Sequence, residues 1–193
     1  MDERLLPGQR LRLRVPATSA NMGPGFDSFG FALDLGNELV IERKGFGVDI
    51  VGQGEDSLPR DESNAIVKAV QQGYAAATGG DDLPSDLHFT CVNNIPTARG
   101  LGSSSAALVS GLAAGLVLAG RDVSKPNVRL QLLQLAADAE GHPDNVAPAI
   151  YGGFQIAINT GKQWVTQSVA MPESLQVRVT MSRSKIGARP RFD

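Results

Sequence analysis

The segment Arg99–Leu108, RGLGSSSAAL, decides how the rest of this chain is interpreted. Two glycines and three consecutive serines are typical of a flexible linker. They are also typical of a loop whose backbone N–H groups surround a phosphate at the start of a helix. The position of the segment favours the second interpretation, because a predicted strand precedes it and a predicted apolar helix follows it.

Hydrophobic periodicity and turn residues predict the elements around this segment. The predicted strands are 10–15, 38–43, 47–51, 87–92, 154–158, 163–169 and 175–181. The predicted helices are 63–78, beginning at a Ser63-Asn64 cap, 103–119, apolar on nearly every side and therefore central, and 126–141. Residues 16–30 contain so many turn formers that we expect an irregular loop there. This order of elements predicts an α+β fold with partly segregated strands and helices.

Composition and charge place the chain among ordinary globular proteins. Its 193 residues are 42% hydrophobic and 20% charged, and the net charge of −2 argues against nucleic-acid or membrane-surface binding. The longest apolar run is too short to cross a bilayer, and the N-terminus lacks the apolar core of a signal peptide. We therefore expect a cytoplasmic protein with no nucleic-acid partner and no membrane partner.

The single cysteine, Cys91, lies in a predicted strand and excludes an intrachain disulfide. We expect it to be a small buried residue rather than a nucleophile.

Several features of the 99–108 segment suit an anion. A helix start offers four free N–H groups and the positive end of the helix dipole. Gly100 and Gly102 let the backbone approach an oxygen, and the serines offer an N-cap, hydroxyl donors and a Mg²⁺ ligand. The alternative is a serine-capped helix after a glycine turn. The patterns GxxxxGK[ST] and GxGxxG are both absent from the sequence, so a phosphate loop here would belong to another class.

Two other segments place polar side chains in an apolar frame. In TSANMGPGFD, residues 18–27, Asn21 and Asp27 can hold a hydroxyl or ammonium group, although a loop of Asx turns is the alternative. EGHPDN, residues 140–145, contains four polar side chains. Surrounding them with apolar neighbours costs free energy unless they form hydrogen bonds, for example to a ligand. The alternative is a solvent-exposed helix-capping turn. Glu140 near a triphosphate would be an expected partner for Mg²⁺.

These three segments resemble the homoserine kinases, a family of the GHMP small-molecule kinases. The matching stretches are PATSANMGPGFDSFGFALDL at 16–35, PTARGLGSSSA at 96–106 and EGHPDNVAPAIYGGF at 140–154. They occur in the family's order, and the resemblance covers about residues 10–160. It implies an α+β fold with an N-terminal domain like domain 2 of ribosomal protein S5, followed by a ferredoxin-like C-terminal domain.

The resemblance also implies a reaction, its cofactors and its site residues. The reaction is ATP-dependent phosphorylation of the L-homoserine hydroxyl to O-phospho-L-homoserine in threonine biosynthesis, with Mg²⁺. The implied ATP phosphate loop is Pro96, Thr97, Ala98, Arg99, Gly100, Leu101, Gly102, Ser103, Ser104, Ser105 and Ala106. The implied Mg²⁺ ligands are Ser104, Ser105 and Glu140. The implied homoserine-site residues are Asn21, Asp27, His142 and Asn145, with Asp27 as the catalytic residue that orients the hydroxyl or the ammonium group.

The chain departs from the family toward its C-terminus. Family members are longer, and a GSGP motif and the arginines for the substrate carboxylate usually come from the part that is missing here. We expect residues 1–175 to form the ATP-binding N-terminal domain and residues 176–193 to be an atypical tail with five basic side chains. With the ferredoxin-like domain largely missing, we expect weak or absent activity. We also expect an exposed sheet face that favours poor solubility or association, for example as a homodimer.

Two alternatives stay open. The first is that the chain is a non-catalytic remnant that binds ATP or an amino acid. The second is that it is a GHMP kinase for another small alcohol. The segment EGHPDNVAP, residues 140–148, argues against the second alternative, because it distinguishes the homoserine kinases from most of their relatives.

Overall fold

The computed structural model describes residue 5, residues 8–172 and residue 174. The predicted strand at 175–181 and the predicted tail at 176–193 lie outside these residues. The described strands are β1 (Arg10–Ala20), β2 (Phe29–Arg43), β3 (Gly47–Gly52), β4 (Leu87–Asn93), β5 (Phe154–Asn159) and β6 (Trp164–Val169). The described helices are α1 (Ala65–Thr78), α2 (Ser103–Leu118), α3 (Pro126–Glu140) and α4 (Val146–Tyr151), with a 3-10 turn at Gly23–Gly25.

The six strands form one mixed sheet built around β2. The order is β3-β4-β2-β5-β6, and β1 pairs with the other edge of β2. Residues 38–43 of β2 pair with β4, and residues 29–31 pair with β5. Only β3 and β4 are parallel among the described pairs. The predicted α+β fold is confirmed.

The helices cover one face of this sheet and bury its alternate side chains. Leu39 and Ile41 of β2 and Phe89 of β4 are at most 1% exposed. On the helix side, Leu112 and Leu116 of α2 are completely buried. As its apolar sequence predicts, α2 is central, since it packs against α1, α3, α4 and β1. Among the described residues, no helix is long and apolar enough to cross a membrane.

The contact between α1 and α2 requires glycine. A Cβ at Gly115 of α2 would lie 2.2 Å from the carbonyl oxygen of Val70, and a Cβ at Gly73 of α1 would lie 2.3 Å from that of Leu112. Both obstacles are helix backbone, which has little room to move. The two glycines therefore fix how closely α2 approaches α1.

The turn-rich segment 16–30 is more regular than predicted. β1 continues to Ala20 past a register shift between Pro16 and Thr18, and β2 begins at Phe29. Only residues 21–28 form a connecting loop, so the prediction of an irregular segment over 16–30 is wrong at both ends. Cross-strand pairing has outweighed the local turn preference here. The short helix α4 was also not predicted.

The face of the sheet opposite the helices is divided into two halves. Over β1 and β2 it is charged, with Arg10 paired to Glu42 at 2.8 Å and Arg12 paired to Glu38 at 2.6 Å. Hydrogen bonds from Lys44 and Arg10 hold the pKa of Glu42 below its usual value, and the bond from the Lys44 ammonium has the larger effect. The other half, which we call the apolar half-face, carries Phe29, Phe31, Phe154, Ile156, Ile158, Val165 and Val169, with the polar Gln167 between the two valines. Ile158 is 51% exposed.

The apolar side chains of this face are therefore confined to one half, in which Ile158 and Val169 are exposed. Association of the chain stays a prediction, and the apolar half-face is where we expect it.

We expect Gly115→Ala to lower the free energy of unfolding by about 1–3 kcal/mol, because the added methyl group cannot fit against the Val70 carbonyl. Chemical denaturation of the variant and the wild type measures the change in the free energy of unfolding. The control is Gln72→Ala on the exposed side of α1, which should change stability by less than about 0.5 kcal/mol. Equal stability of the Gly115 variant and the control would contradict the packing argument.

We expect Ile158→Asp to reduce concentration-dependent association, because it places a charge in the apolar half-face. Light scattering after size-exclusion chromatography, over a range of concentrations, gives the mass. The matched control is Arg14→Gln on the charged half, which should leave the mass unchanged. A wild-type chain that is monomeric throughout the range would make the homodimer prediction wrong.

Candidate functional site

The 96–106 segment forms an ordered loop that leads directly into α2. Ala98, Gly100 and Gly102 adopt left-handed backbone conformations with φ of 55°, 71° and 63°. Left-handed residues occur in backbone nests, in which successive N–H groups face a common anion. Leu101 within the loop is 4% exposed, and its carbonyl accepts a hydrogen bond from the N–H of Thr18 at 3.1 Å. A flexible linker is therefore the wrong interpretation.

The first turn of α2 has no side-chain cap. The N-cap residue is Gly102, whose carbonyl accepts from Ala106 N–H at 2.8 Å, and Ser103 is the first helical residue. The predicted serine N-cap is therefore wrong. The N–H groups of residues 103–105 precede the first intrahelical bond and have no helix carbonyl to use. Free N–H groups at a helix start are the donors that anions use in such positions.

Ser105 and Glu140 bring two oxygen donors together beside this helix start. Ser105 Oγ donates to Glu140 Oε2 at 2.9 Å, and this hydrogen bond joins α2 to the end of α3. Mg²⁺ prefers such oxygens and takes its remaining ligands from phosphates and water. The pair therefore fits this ion together with a triphosphate. Within the described part of the chain, no cluster of three or more His, Cys, Asp or Glu side chains is placed to hold a metal by itself.

A cavity of about 700 Å³ adjoins the loop, within the usual size range of small-molecule sites. Ile50, Leu58 and Leu108 contribute apolar wall, whereas Ser104 and Glu140 lie in the wall next to the loop. No pattern in the sequence predicted this cavity. Its walls come from β2, β3, β4, α1, α2, the end of α3 and the loops before α1 and α2, and periodicity within one segment does not reveal a space that many segments share.

The loop before α1 is held in place as part of the cavity wall. Arg60 donates to the carbonyl of Glu55 at 3.0 Å and to that of Ile50 at 3.4 Å. Asn64 donates to the carbonyl of Pro59 at 2.7 Å, and its Oδ1 accepts from Ile66 N–H at 2.9 Å. The predicted helix cap at Asn64 is thus confirmed, and the same side chain holds the cavity wall.

Cys91 is buried in β4, as predicted, and lines the cavity. Burial raises the pKa of its thiol to about 11. A thiol with this pKa contains very little thiolate at neutral pH and is a poor nucleophile.

The EGHPDN turn is organised around Asp144, whose side chain is completely buried. Asp144 Oδ1 is hydrogen-bonded to His142 Nδ1 at 2.7 Å and to Asn145 N–H at 2.8 Å. Asp144 Oδ2 is buried without a hydrogen-bond partner among the described residues. A solvent-exposed capping turn is therefore the wrong interpretation. This central role of Asp144 was not predicted, because sequence spacing does not show which of four polar groups is buried.

Asn21 and Asp27 lie at the two ends of the loop between β1 and β2. Both take left-handed backbone conformations, with φ of 59° and 56°, and Asp27 N–H approaches Asn21 Oδ1 at 3.4 Å. Both residues are exposed. Such conformations in residues other than glycine are typical of functional sites.

The strands on either side of this loop are anchored to the EGHPDN turn. Thr18 Oγ1 donates to Asn145 Oδ1 at 2.8 Å, and a Cβ at Gly30 would lie 1.7 Å from the carbonyl oxygen of Asp144. The loop therefore borders the turn, although no hydrogen bond among the described residues joins Asn21 or Asp27 to His142 or Asn145.

Comparison with known proteins gives consistent matches. Residues 61–153 match the profile of the GHMP kinases N terminal domain. A homoserine kinase of Cutibacterium acnes is 49% identical over 150 residues, which are 76% of this chain and 50% of the relative. The structure of the Cytophaga hutchinsonii homoserine kinase matches at 26% identity and a TM-score of 0.67, covering 90% of this chain and 59% of that one. A Listeria monocytogenes structure assigned as a homoserine kinase matches at 35% identity and a TM-score of 0.70, and the match covers 86% of this chain and 55% of that one.

The coverage is partial in each case. The chain spans about half the length of the curated relatives that it matches.

We expect native Cys91 to react with a thiol reagent at pH 8 about a hundredfold more slowly than in the unfolded chain, because raising the thiol pKa from 9.0 to about 11 lowers the thiolate fraction by that factor. The absorbance of the thiolate that the reagent releases gives the reaction rate. A ligand bound in the cavity should slow the reaction further, since Cys91 lines it. A native rate equal to the unfolded rate would contradict the burial.

Proposed function

Because the chain is homologous to the homoserine kinases and carries the fold of a GHMP kinase N-terminal domain, we propose that its site serves ATP-dependent phosphorylation of L-homoserine to O-phospho-L-homoserine. One observation carries this proposal. The phosphate loop lies between the cavity and the EGHPDN turn, with Ser104 in the cavity wall and Gly102 against Thr18 and Asn145. A nucleotide in the cavity would direct its phosphates toward the polar turn.

The cavity and the loop divide the binding of ATP between them. GHMP kinases use ATP as a substrate. We assign the nucleoside to the cavity with its apolar walls, and the triphosphate to residues 96–106. The backbone N–H groups of this loop and the first turn of α2 supply donors that are already oriented, so little ordering is needed on binding.

We assign Mg²⁺ to Ser104, Ser105 and Glu140. These residues would hold the ion, which would supply charge neutralisation for the transferred phosphoryl group. The hydrogen bond from Ser105 holds the Glu140 carboxylate beside the helix start, and Ser104 lines the cavity from the same turn. These contacts support the assignment of the three side chains to the ion.

We assign Asn21, Asp27, His142 and Asn145 to L-homoserine. Asp27 accepts a hydrogen bond from the reacting hydroxyl, or from the ammonium group, and orients the substrate. The hydroxyl oxygen then bonds to the γ-phosphorus while the bond from that phosphorus to the leaving oxygen of ADP breaks, and the hydroxyl proton passes to solvent water. Phosphoryl transfer depends mainly on alignment and on charge neutralisation, so a strong general base is not required.

Several broader assignments accompany this proposal. We assign residues 1–175 to the ATP-binding domain, which includes the matched region 61–153. We place the protein in the cytoplasm, where ATP and free amino acids are available.

We expect Gly102→Ala to weaken binding of ATP–Mg²⁺ by at least about tenfold, because the new Cβ would lie 2.0 Å from Thr18 Oγ1 and displace the loop. Titration calorimetry measures the affinity. Gly120→Ala is a matched control, since Gly120 has a similar φ of 80° but nothing within 4 Å of the added atom. The two variants share the backbone strain, so equal affinities would contradict the assignment of the loop to phosphate.

We expect the polypeptide of residues 1–193 to bind ATP–Mg²⁺ but to turn over L-homoserine far more slowly than a full-length relative. Asn21 and Asp27 are exposed, so water has free access to the site assigned to the reacting hydroxyl. A coupled assay for ADP release, run with and without L-homoserine, measures the turnover.

The same assay separates the alternatives. Nucleotide binding without turnover of any small alcohol would favour a binding remnant, whereas preference for another alcohol in a substrate panel would make homoserine the wrong substrate.

A further inference from the structure

Thr18 joins the three segments that make up the site. Its side chain is completely buried at the end of β1. Its N–H donates to the carbonyl of Leu101 in the phosphate loop at 3.1 Å, and its hydroxyl donates to Asn145 Oδ1 in the EGHPDN turn at 2.8 Å. Gly102 approaches so closely that a Cβ there would lie 2.0 Å from Thr18 Oγ1 and 3.2 Å from Asn145 Oδ1.

This contact determines what Asn145 can offer to a ligand. A side-chain amide presents an oxygen that accepts and a nitrogen that donates two hydrogens. The Thr18 hydroxyl is bonded to the amide oxygen of Asn145, so the amide nitrogen of Asn145 remains to donate to a ligand. Nδ2 donates one hydrogen to Asp144 Oδ1, with 3.4 Å between the nitrogen and the oxygen, and its second hydrogen remains for a ligand. Asn145 can therefore bind an oxygen with a lone pair, such as that of a hydroxyl or a phosphoryl group.

We propose that Thr18 is a positioning residue, whose hydroxyl fixes the Asn145 amide so that Nδ2 faces the substrate. This inference rests on the function proposed above. Thr18 touches neither ATP nor L-homoserine in this assignment, and it acts through Asn145. Its backbone N–H holds Leu101 independently of the side chain, so the hydroxyl affects the substrate site more than the phosphate loop.

Two variants separate the hydroxyl from the shape of the side chain. Thr18→Val has nearly the same shape but no donor, which leaves Asn145 Oδ1 without its partner and free to turn. Thr18→Ser keeps the donor. For Thr18→Val we expect L-homoserine binding to weaken at least about tenfold and ATP–Mg²⁺ binding to change less than about threefold. For Thr18→Ser both affinities should stay within about threefold of the wild type. Titration calorimetry provides both values.

A second readout needs no ligand. The side-chain amide of Asn145 gives a pair of ¹⁵N-correlated NMR signals, assigned by their loss in Asn145→Asp. The signals should be well separated in the wild type and in Thr18→Ser, because the amide is held in one orientation. In Thr18→Val they should move together and their protons should exchange faster with water. Thr18→Ala, which also lacks the hydroxyl, replaces Thr18→Val if that variant does not fold.

The outcomes are distinct. Unchanged amide signals in the variant without a hydroxyl, equal losses of both ligands, or a serine variant that behaves like valine would overturn the inference. A wild-type chain that binds neither ligand would contradict the proposed function instead, and the amide signals would still decide the role of Thr18.

Discussion

The structure depends first on the burial of α2. This helix is apolar on nearly all sides, so it is stable only when it is surrounded, and α1, α3, α4 and β1 surround it. Gly73 and Gly115 allow α1 to approach to backbone contact, which leaves little freedom for sliding or rotation. Because the helix is fixed along its length, the free N–H groups at its start are fixed too. Packing in the core thereby determines where an anion can bind.

The polar residues of the candidate site are held by a second set of contacts around this helix start. Glu140 reaches Ser105 from the end of α3, and Asn145 reaches Thr18 from the turn that follows. Asp144 is buried beneath this turn and fixes both His142 and the backbone of Asn145. The contacts of Glu140 with Ser105 and of Asn145 with Thr18 join residues that are far apart in sequence, whereas those of Asp144 are local. The site is therefore a product of tertiary packing, although each of its segments is short and continuous.

The two faces of the sheet have different physical roles. The face under the helices carries the core, and half of the opposite face satisfies its charges through cross-strand ion pairs such as Arg12–Glu38. Such exposed pairs add little stability but keep that half solvated. The apolar half-face lies over β5, β6 and the start of β2, and it exposes large side chains such as Ile158. This distribution is why we expect association, which stays a prediction, at the apolar half-face.

Much of the fold was predictable from local sequence. The alternation at residues 10–15, the Asn64 cap and the apolar run after Ser103 predicted elements that the structure contains. These predictions succeed because periodicity and capping are properties of a few neighbouring residues. The three motifs also indicated, from residue types alone, a phosphate loop and polar groups for a small substrate. Those assignments of residues to ligands stay predictions.

Other features were decided only by tertiary structure. Pairing between β1 and β2 extended strands into the turn-rich segment 16–30, against local preference. The cavity lies where segments from several strands and helices meet, and Asp144 and Thr18 are buried only in the packed structure. The sequence by itself determined which elements form and which polar residues are available for a site. Packing decided which of these residues meet, because distances between remote segments depend on the whole core and not on any one stretch of chain.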